Sequence, residues 1–200
     1  MSARPSLNDS PRGRLIVISG PSGVGKTSVV AELIAPTGSV FSVSATTRAA
    51  RPGEIDGREY HFVDRVTFQQ MIARGEILEW AEYGGNLYGT PRQSVLPILE
   101  SGRNVILDIE NEGAKQLRAS YPSAVLIFIA PPDLETLEER LKGRGDTSAL
   151  DISLRLDLAA HQIAEAESFY DHLVENVDVE ETVAQILDIL DNDGASATIH

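Results

Sequence analysis

Apolar and polar positions along the chain fall into two alternating patterns. Leu15-Ile16-Val17-Ile18 is an unbroken apolar run, as expected of a strand buried on both faces of a parallel sheet. Asn104 to Leu107 and Ala124 to Ile129 repeat it, and Leu173-Val174 is a shorter version. Helical spacing fills the stretches between. Val29, Val30, Leu33 and Ile34 form one such set. Leu134, Leu137 and Leu141 follow Asp133, which reads as an N-cap. Val183, Ile186, Leu187 and Leu190 stripe one face of a last helix. This alternation predicts an α/β domain with a central parallel sheet and helices on its faces.

Residues 43 to 90 break the rhythm. They are rich in Gly, Thr and aromatics and hold short strand-like pieces such as Tyr60-His61-Phe62-Val63. Thr67 to Gln70 fits a capping box, predicting a helix that starts at Thr67. Thr90-Pro91-Arg92-Gln93 reads as another start, with Thr90 as N-cap and Pro91 at the first helical position. Pro97 would then kink or end that helix. A second excursion, residues 137 to 165, is charged and punctuated by Gly143-Arg144-Gly145, the pattern of a mobile flap. Residues 1–13 are polar and carry Pro5 and Pro11, so a disordered lead-in is expected there, and a fraying polar tail over 191–200.

Composition narrows the function. The net charge of −13 argues against a broad nucleic-acid or membrane surface. With no cysteine, disulfides, thiolate metal sites and cysteine nucleophiles are excluded. No apolar run approaches the ~20 residues that span a bilayer, and no apolar leader is present, so a cytoplasmic protein is expected. Against this acidic background two cationic groups stand out: Arg48, Arg51 and Arg58, and Arg140, Lys142 and Arg144. Local clusters of this kind suit a small phosphorylated ligand.

Gly20-Pro21-Ser22-Gly23-Val24-Gly25-Lys26-Thr27 matches G-x-x-x-x-G-K-[ST], directly after a buried strand and before a helix. The pattern arises by chance in roughly one chain in a hundred, and its strand–helix context makes coincidence rarer still. The glycines let backbone N–H groups turn toward a β-phosphate at a helix N-terminus. Lys26 brings a point charge to the β- and γ-phosphates. Thr27 offers a hydroxyl to Mg²⁺, and Ser28 follows it. The motif implies a nucleoside triphosphate with magnesium on a P-loop NTPase-type three-layer core. It does not name the acceptor.

Beyond it, Ser42-Val43-Ser44-Ala45-Thr46-Thr47-Arg48-Ala49-Ala50-Arg51-Pro52-Gly53-Glu54 is followed by Glu79-Trp80-Ala81-Glu82 and by Asn86-Leu87-Tyr88-Gly89-Thr90. In order and spacing these elements resemble the guanylate kinases, and the resemblance extends from about Arg14 to Leu190. It implies a P-loop core (residues 14–42, 91–136 and 166–190), a GMP-binding region (43–90) and a small helical lid (137–165). It implies phosphate contacts at Arg48, Arg51, Tyr60 and Tyr88, and guanine contacts at Ser44, Glu79 and Thr90, with Asp108 beside them. It implies lid arginines at Arg140, Arg144 and Arg155, and an adenine-side position at Asn176. ATP and GMP would be the substrates.

Residue chemistry supports this reading independently. Arg forks suit a phosphate dianion. An ionised Glu79 is acceptor-only and takes both the N1–H and the 2-amino protons of guanine. Plainer readings stand beside it: Thr90 as a cap, Tyr60 and Tyr88 as half-buried packing residues, Glu79 as a surface carboxylate. Arg140 and Arg144 would equally pair with Glu135, Glu138 or Glu139 on a solvated helix. Asp108 ends an apolar strand, as a carboxylate placing Mg²⁺ through water would, or a strand-end cap. The sequence departs from the family at Glu110, Glu112 and Glu175, which puts fine geometry near the acceptor and Asn176 in question. Other P-loop kinases acting on a different nucleotide or a sugar phosphate, and non-enzymatic scaffold domains, remain as alternatives. The four histidines show no ligand spacing. Self-association is not readable.

Overall fold

The computed structural model describes residues 13–143 and 149–196. Its first strand, β1 (Leu15–Ser19), is the first apolar run, with Leu15 to Ile18 each at most 1% exposed. Helix α1 (Lys26–Thr37) starts at the lysine of the G-x-x-x-x-G-K-[ST] motif and is followed by β2 (Val40–Phe41). Short strands β3 (Ala45–Thr46) and β4 (His61–Phe62) come next, then α2 (Arg65–Ala73), β5 (Ile77–Tyr83) and β6 (Asn86–Pro91). A 3-10 turn at Arg92–Ser94 leads to α3 (Leu96–Glu100), β7 (Val105–Asp108) and α4 (Asn111–Ser120). The chain closes with β8 (Val125–Ala130), α5 (Leu134–Lys142), α6 (Ala149–Ala166), β9 (His172–Glu175) and α7 (Val179–Ser196).

Two sheets result. A five-stranded sheet has the order β2-β7-β1-β8-β9, and β4-β3-β6-β5 form a second. In the first, β2 lies parallel to β7 and β8 parallel to β9, pairings that need crossover connections rather than hairpins. The expected α/β architecture with a parallel sheet is therefore present. All four apolar runs are strands. Chain contacts divide into two compact units, one of Ser39–Val125 with the stretch up to Val17, the other of Ile18–Gly38 with Leu126 onward.

In the first unit, residues 45–91 build the smaller sheet. Ala45, Phe68 and Leu87 form its core, with Val63 and Ile72 packed against them. The Thr46-Thr47 pair stitches it together: Thr47 N–H donates to the Leu87 carbonyl and Thr47 Oγ1 accepts from Leu87 N–H at 2.9 Å. The outer strand β5 presents backbone groups that Gln116 of α4 satisfies. Gln116 Nε2 donates to the Trp80 carbonyl (2.7 Å), and its Oε1 accepts from Trp80 N–H (3.2 Å). A helix side chain thus takes the place of a missing neighbouring strand.

Several local expectations change. Helix α2 begins at Arg65, capped by Asp64, whose side chain accepts from Thr67 N–H (2.8 Å) and from Thr67 Oγ1 (2.8 Å). Asp–x–x–Thr wins over the Thr67 capping box because Thr67 is consumed as donor. Thr90 is not an N-cap: it lies within β6, and Pro91 precedes only the 3-10 turn. Pro97 consequently interrupts nothing, since it sits in the first turn of α3, where its missing N–H is harmless. Gly13 does not belong to a loose lead-in; it is buried, with its N–H on the Leu99 carbonyl at 3.0 Å. Residues 1–12 lie outside the described residues. The last helix continues past Leu190 to Ser196, and residues 197–200 lie outside the description.

In the second unit, Asp133 caps α5 as expected, accepting from Thr136 N–H at 2.6 Å. Leu137 and Leu141 of α5 pack with Ile152, Leu156 and Ala159 of α6. No helix among the described residues is long and apolar enough to cross a membrane.

Candidate functional site

The loop between β1 and α1 belongs to the second unit. Gly25, immediately before α1, has φ 105°, a left-handed conformation that suits glycine. A Cβ there would meet Asn176 Nδ2 at 2.5 Å. Lys26 folds back over the loop, its Nζ donating to the carbonyls of Gly20 (2.6 Å) and Pro21 (3.3 Å). Thr27 and Ser28 are exposed in the first turn of α1, where the Ser28 and Val29 N–H groups both turn to the Gly25 carbonyl. Ser22 is exposed, while Pro21 and Val24 are buried.

Asn176 and Arg140 converge on one atom of this loop. Asn176, 3% exposed, donates through Nδ2 to the Val24 carbonyl (2.6 Å), and its Oδ1 accepts from Thr182 Oγ1 (2.9 Å). Arg140 donates to the same Val24 carbonyl (3.2 Å) and to those of Asn176 (3.0 Å) and Val177 (3.3 Å). The expected pairing of Arg140 with helix carboxylates does not occur. The ion pair along α5 is instead Lys142 with Glu138, at 2.7 Å. Arg155 is half-buried on α6, and Arg144 lies outside the described residues.

The first unit holds a second cluster. Arg48 meets both oxygens of Glu54, each at 2.9 Å, and donates to the Ala49 carbonyl at 2.7 Å. Its guanidinium lies 5.4 Å from the Tyr60 ring centre and 5.7 Å from that of Phe62, within cation–π range. Tyr60 and Tyr88 meet edge to face at 5.9 Å. Arg48 holds the Glu54 carboxylate down to about 2, helped by the backbone N–H of Arg51, and Glu54 in turn raises the Arg48 guanidinium. Burial lifts the Tyr60 phenol above its ordinary value, and the charge of Asp108 adds to the shift. Arg51 is exposed beside this group. Ser44 is half-buried, its carbonyl accepting from His61 N–H at 2.8 Å.

Glu79 sits deeper. Between the pairs Ile77–Pro91 and Trp80–Gly89, β5 takes one more residue than β6. Such a bulge re-aims side chains. Here it leaves Ile77, Leu78 and Glu79 buried in succession, opposite Thr90. Thr90 Oγ1 donates to Glu79 Oε1 at 2.6 Å, and both residues are at most 3% exposed. Burial pushes the Glu79 carboxyl up to about 7, with the Thr90 hydrogen bonds opposing. Glu79 is therefore no surface carboxylate, and Thr90 is its partner rather than a helix cap.

Asp108 ends β7 and is half-buried. Its carboxylate is a hard oxygen donor, the type Mg²⁺ takes alongside substrate phosphates and water; in the other unit the Thr27 hydroxyl is a donor of the same type. Among the described residues no three His, Asp or Glu side chains gather into a cation cage. A magnesium bound chiefly through phosphates needs no such cage.

The family model "Guanylate kinase" matches residues 12–193. The chain belongs to the guanylate kinase family. Curated guanylate kinases from Thermobifida fusca (strain YX) and Trichodesmium erythraeum (strain IMS101) are 49% and 48% identical to it, covering 92% and 89% of this chain and 93% and 96% of theirs. A crystal structure of guanylate kinase from Anaplasma phagocytophilum superposes with a TM-score of 0.74 at 38% identity, over 90% of this chain and 86% of that one.

Within this guanylate kinase family chain, three residues went unassigned in the sequence. Glu54 stood inside the quoted motif without a role. Thr182, which orients Asn176, carries no sequence signal, being an ordinary helix residue. Gly113 lies in the first turn of α4, where a Cβ would overlap Glu79 Oε2. In the sequence Gly113 closes the Asp108–Gly113 stretch that carries the Glu110 and Glu112 departures, and nothing local points to its contact with Glu79. Of the departures from the family pattern, Glu112 pairs with Lys115 at 2.8 Å, and Glu110 is the N-cap residue of α4.

Proposed function

We propose that this chain transfers the γ-phosphoryl group of ATP to GMP, giving ADP and GDP, by direct in-line displacement. The observation that carries the reading is Glu79: a carboxylate buried at 3% exposure beside Thr90 on a sheet outside the P-loop. A P-loop hydrolase has no use for such a group, whereas a guanine base does.

The donor side rests on residues 20–28, with loop N–H groups and Lys26 receiving the β- and γ-phosphates. Asn176 and Arg140 hold the Val24 carbonyl inward, which keeps the N–H groups of that turn facing the ligand. Arg144 and Arg155 would add positive charge over the γ-phosphate, where transition-state charge is redistributed. On the acceptor side, Arg48, Arg51, Tyr60 and Tyr88 receive the GMP phosphate, and Ser44, Glu79 and Thr90 read the base, with Asp108 beside them. Glu79 accepts the N1–H and 2-amino protons. Adenine lacks the 2-amino group and turns a bare N1 acceptor toward the carboxylate, a mismatch that can discriminate by roughly 10⁴-fold. The nucleophile is a phosphate oxygen already ionised at neutral pH, so no general base is required.

Thr27 directly and Asp108 through water are the residues that would hold Mg²⁺. When bound, the ion neutralises charge on the β- and γ-oxygens. The reading places 43–90 as the acceptor region and 137–165 as the lid, and carries a cytoplasmic setting with it, ATP being the donor. Coupled detection of ADP release with GMP, AMP, CMP and UMP tests it: GMP turnover should dominate, and equal rates with AMP refute the role given to Glu79.

A further inference from the structure

Gly113 is an unexpected choice for its position. It occupies the first turn of α4, a buried stretch with Asn111, Ala114 and Leu117 around it. No left-handed backbone conformation calls for glycine there, and glycine is a poorer helix former than alanine. What excludes a side chain is Glu79. A Cβ on Gly113 would overlap Glu79 Oε2 and lie 3.0 Å from Cδ and 3.6 Å from Cγ. An overlap of that kind with Oε2 forces something to move.

The helix cannot easily be what moves. Gln116, one turn further along α4, is hydrogen-bonded to both the N–H and the carbonyl of Trp80, the residue that follows Glu79. Ala114 and Leu117 are fully buried, so α4 is anchored within a turn of Gly113. The far oxygen of Glu79 is held by Thr90 at 2.6 Å. The carboxylate is therefore set between a hydroxyl on one side and a bare Cα on the other.

We propose that Gly113 is a positioning residue for base selection: its missing side chain is the seat that sets the orientation of the Glu79 carboxylate. The inference rests on the reading of Glu79 as the guanine acceptor. A methyl group at 113 rotates Oε2 away, and the base loses one of two parallel hydrogen bonds while the donor site is untouched.

The test is Gly113→Ala, measured with GMP and with IMP, which lacks the 2-amino group. KM for GMP should rise ~10-fold or more, KM for ATP should hold, kcat should change less than KM, and the preference for GMP over IMP should shrink. The same substitution in a Glu79→Asp background, where the carboxylate is one methylene shorter, should cost less than ~2-fold beyond Glu79→Asp alone. Unchanged GMP kinetics in Gly113→Ala, or an equal loss in both backgrounds, overturns the inference. Should Gly113→Ala fail to fold, recovery of a cooperative melt in the Glu79→Asp background supports the seat, and unfolding in both backgrounds overturns it. A wild-type chain without GMP-dependent ADP release would instead overturn the functional reading itself.

Discussion

Glu54 grips the Arg48 guanidinium with both carboxylate oxygens, each at 2.9 Å from its nitrogen partner. A third contact, from the Arg51 backbone N–H at 2.7 Å, fixes the same carboxylate. The arginine assigned to the acceptor phosphate is thereby ordered before any ligand arrives, its plane set against Tyr60 and Phe62. Preorganisation of this kind improves binding by removing side-chain ordering from the association step. Glu54→Gln should therefore raise KM for GMP roughly 3- to 10-fold and leave KM for ATP unchanged. Steady-state kinetics with each substrate varied in turn decides it; a fall in KM for GMP would mean that Glu54 competes with the phosphate instead.

Asn176 and Thr182 make a corresponding prediction for the loop. Asn176 spends both ends of its amide inside the protein, on the Val24 carbonyl and on Thr182 Oγ1. Asn176→Ala removes both bonds, leaving Arg140 alone on the Val24 carbonyl and the Thr182 hydroxyl on the Asp178 carbonyl, at a cost of about 1–3 kcal/mol for the two. Denaturant unfolding should show that loss, and KM for ATP should rise while KM for GMP does not. Unaltered stability would remove the basis for calling Asn176 a clamp of the loop.

Much of this arrangement is visible in the chain itself. The strands are legible because residues buried on both faces leave no polar positions, as Leu15 to Ile18 show. The loop at Gly20 to Thr27 is legible because its chemistry is local. Glu79 and Thr90 are named by the resemblance, but their burial is not evident: a Glu beside Trp80 and a Thr before Pro91 have ordinary local explanations. Only the bulge in β5 brings them together. The Gly113–Glu79 contact joins an α-helix to a strand far earlier in the chain, and no periodicity encodes it. Arg140 misleads for a related reason, since nearby glutamates suggest helix pairs while the Val24 carbonyl that it meets lies remote in sequence.

The raised Glu79 carboxyl makes stability depend on pH. Its ordinary value of 4.5 rises to about 7 in the fold because burial disfavours the ion. Between those values the native chain holds a proton that the unfolded chain has released. Stability accordingly falls as pH rises through that window and levels off above it. The total is about 3 kcal/mol. Urea unfolding of ligand-free protein at pH 5 and pH 8 should show this loss in the wild type and not in Glu79→Gln. Parallel behaviour of the two would show that the carboxyl is not titrating there.

The same ionisation governs the base. Guanine donates two protons only to a charged Glu79, so KM for GMP should fall as pH rises through about 7. The second ionisation of the GMP phosphate, at about 6, contributes a similar trend. Glu79→Gln keeps the phosphate and lacks the carboxyl, so the difference between the two profiles isolates Glu79. Superimposable profiles would contradict the assignment.

Lys26 bears on the transfer step itself. Its Nζ rests on the Gly20 and Pro21 carbonyls, close to where the triphosphate would lie. Lys26→Met should lower kcat roughly 10²- to 10³-fold, the usual loss for one transition-state donor. Retained turnover would mean that the phosphoryl group is held elsewhere.

The most direct measurement is the rate of ADP release with GMP and with AMP, for the wild-type chain and for Glu79→Gln. The account predicts a preference for GMP of up to roughly 10⁴-fold in kcat/KM for the wild type, and its collapse in the variant. Comparable rates with both nucleotides in the wild type, or a preference that survives Glu79→Gln, would contradict it.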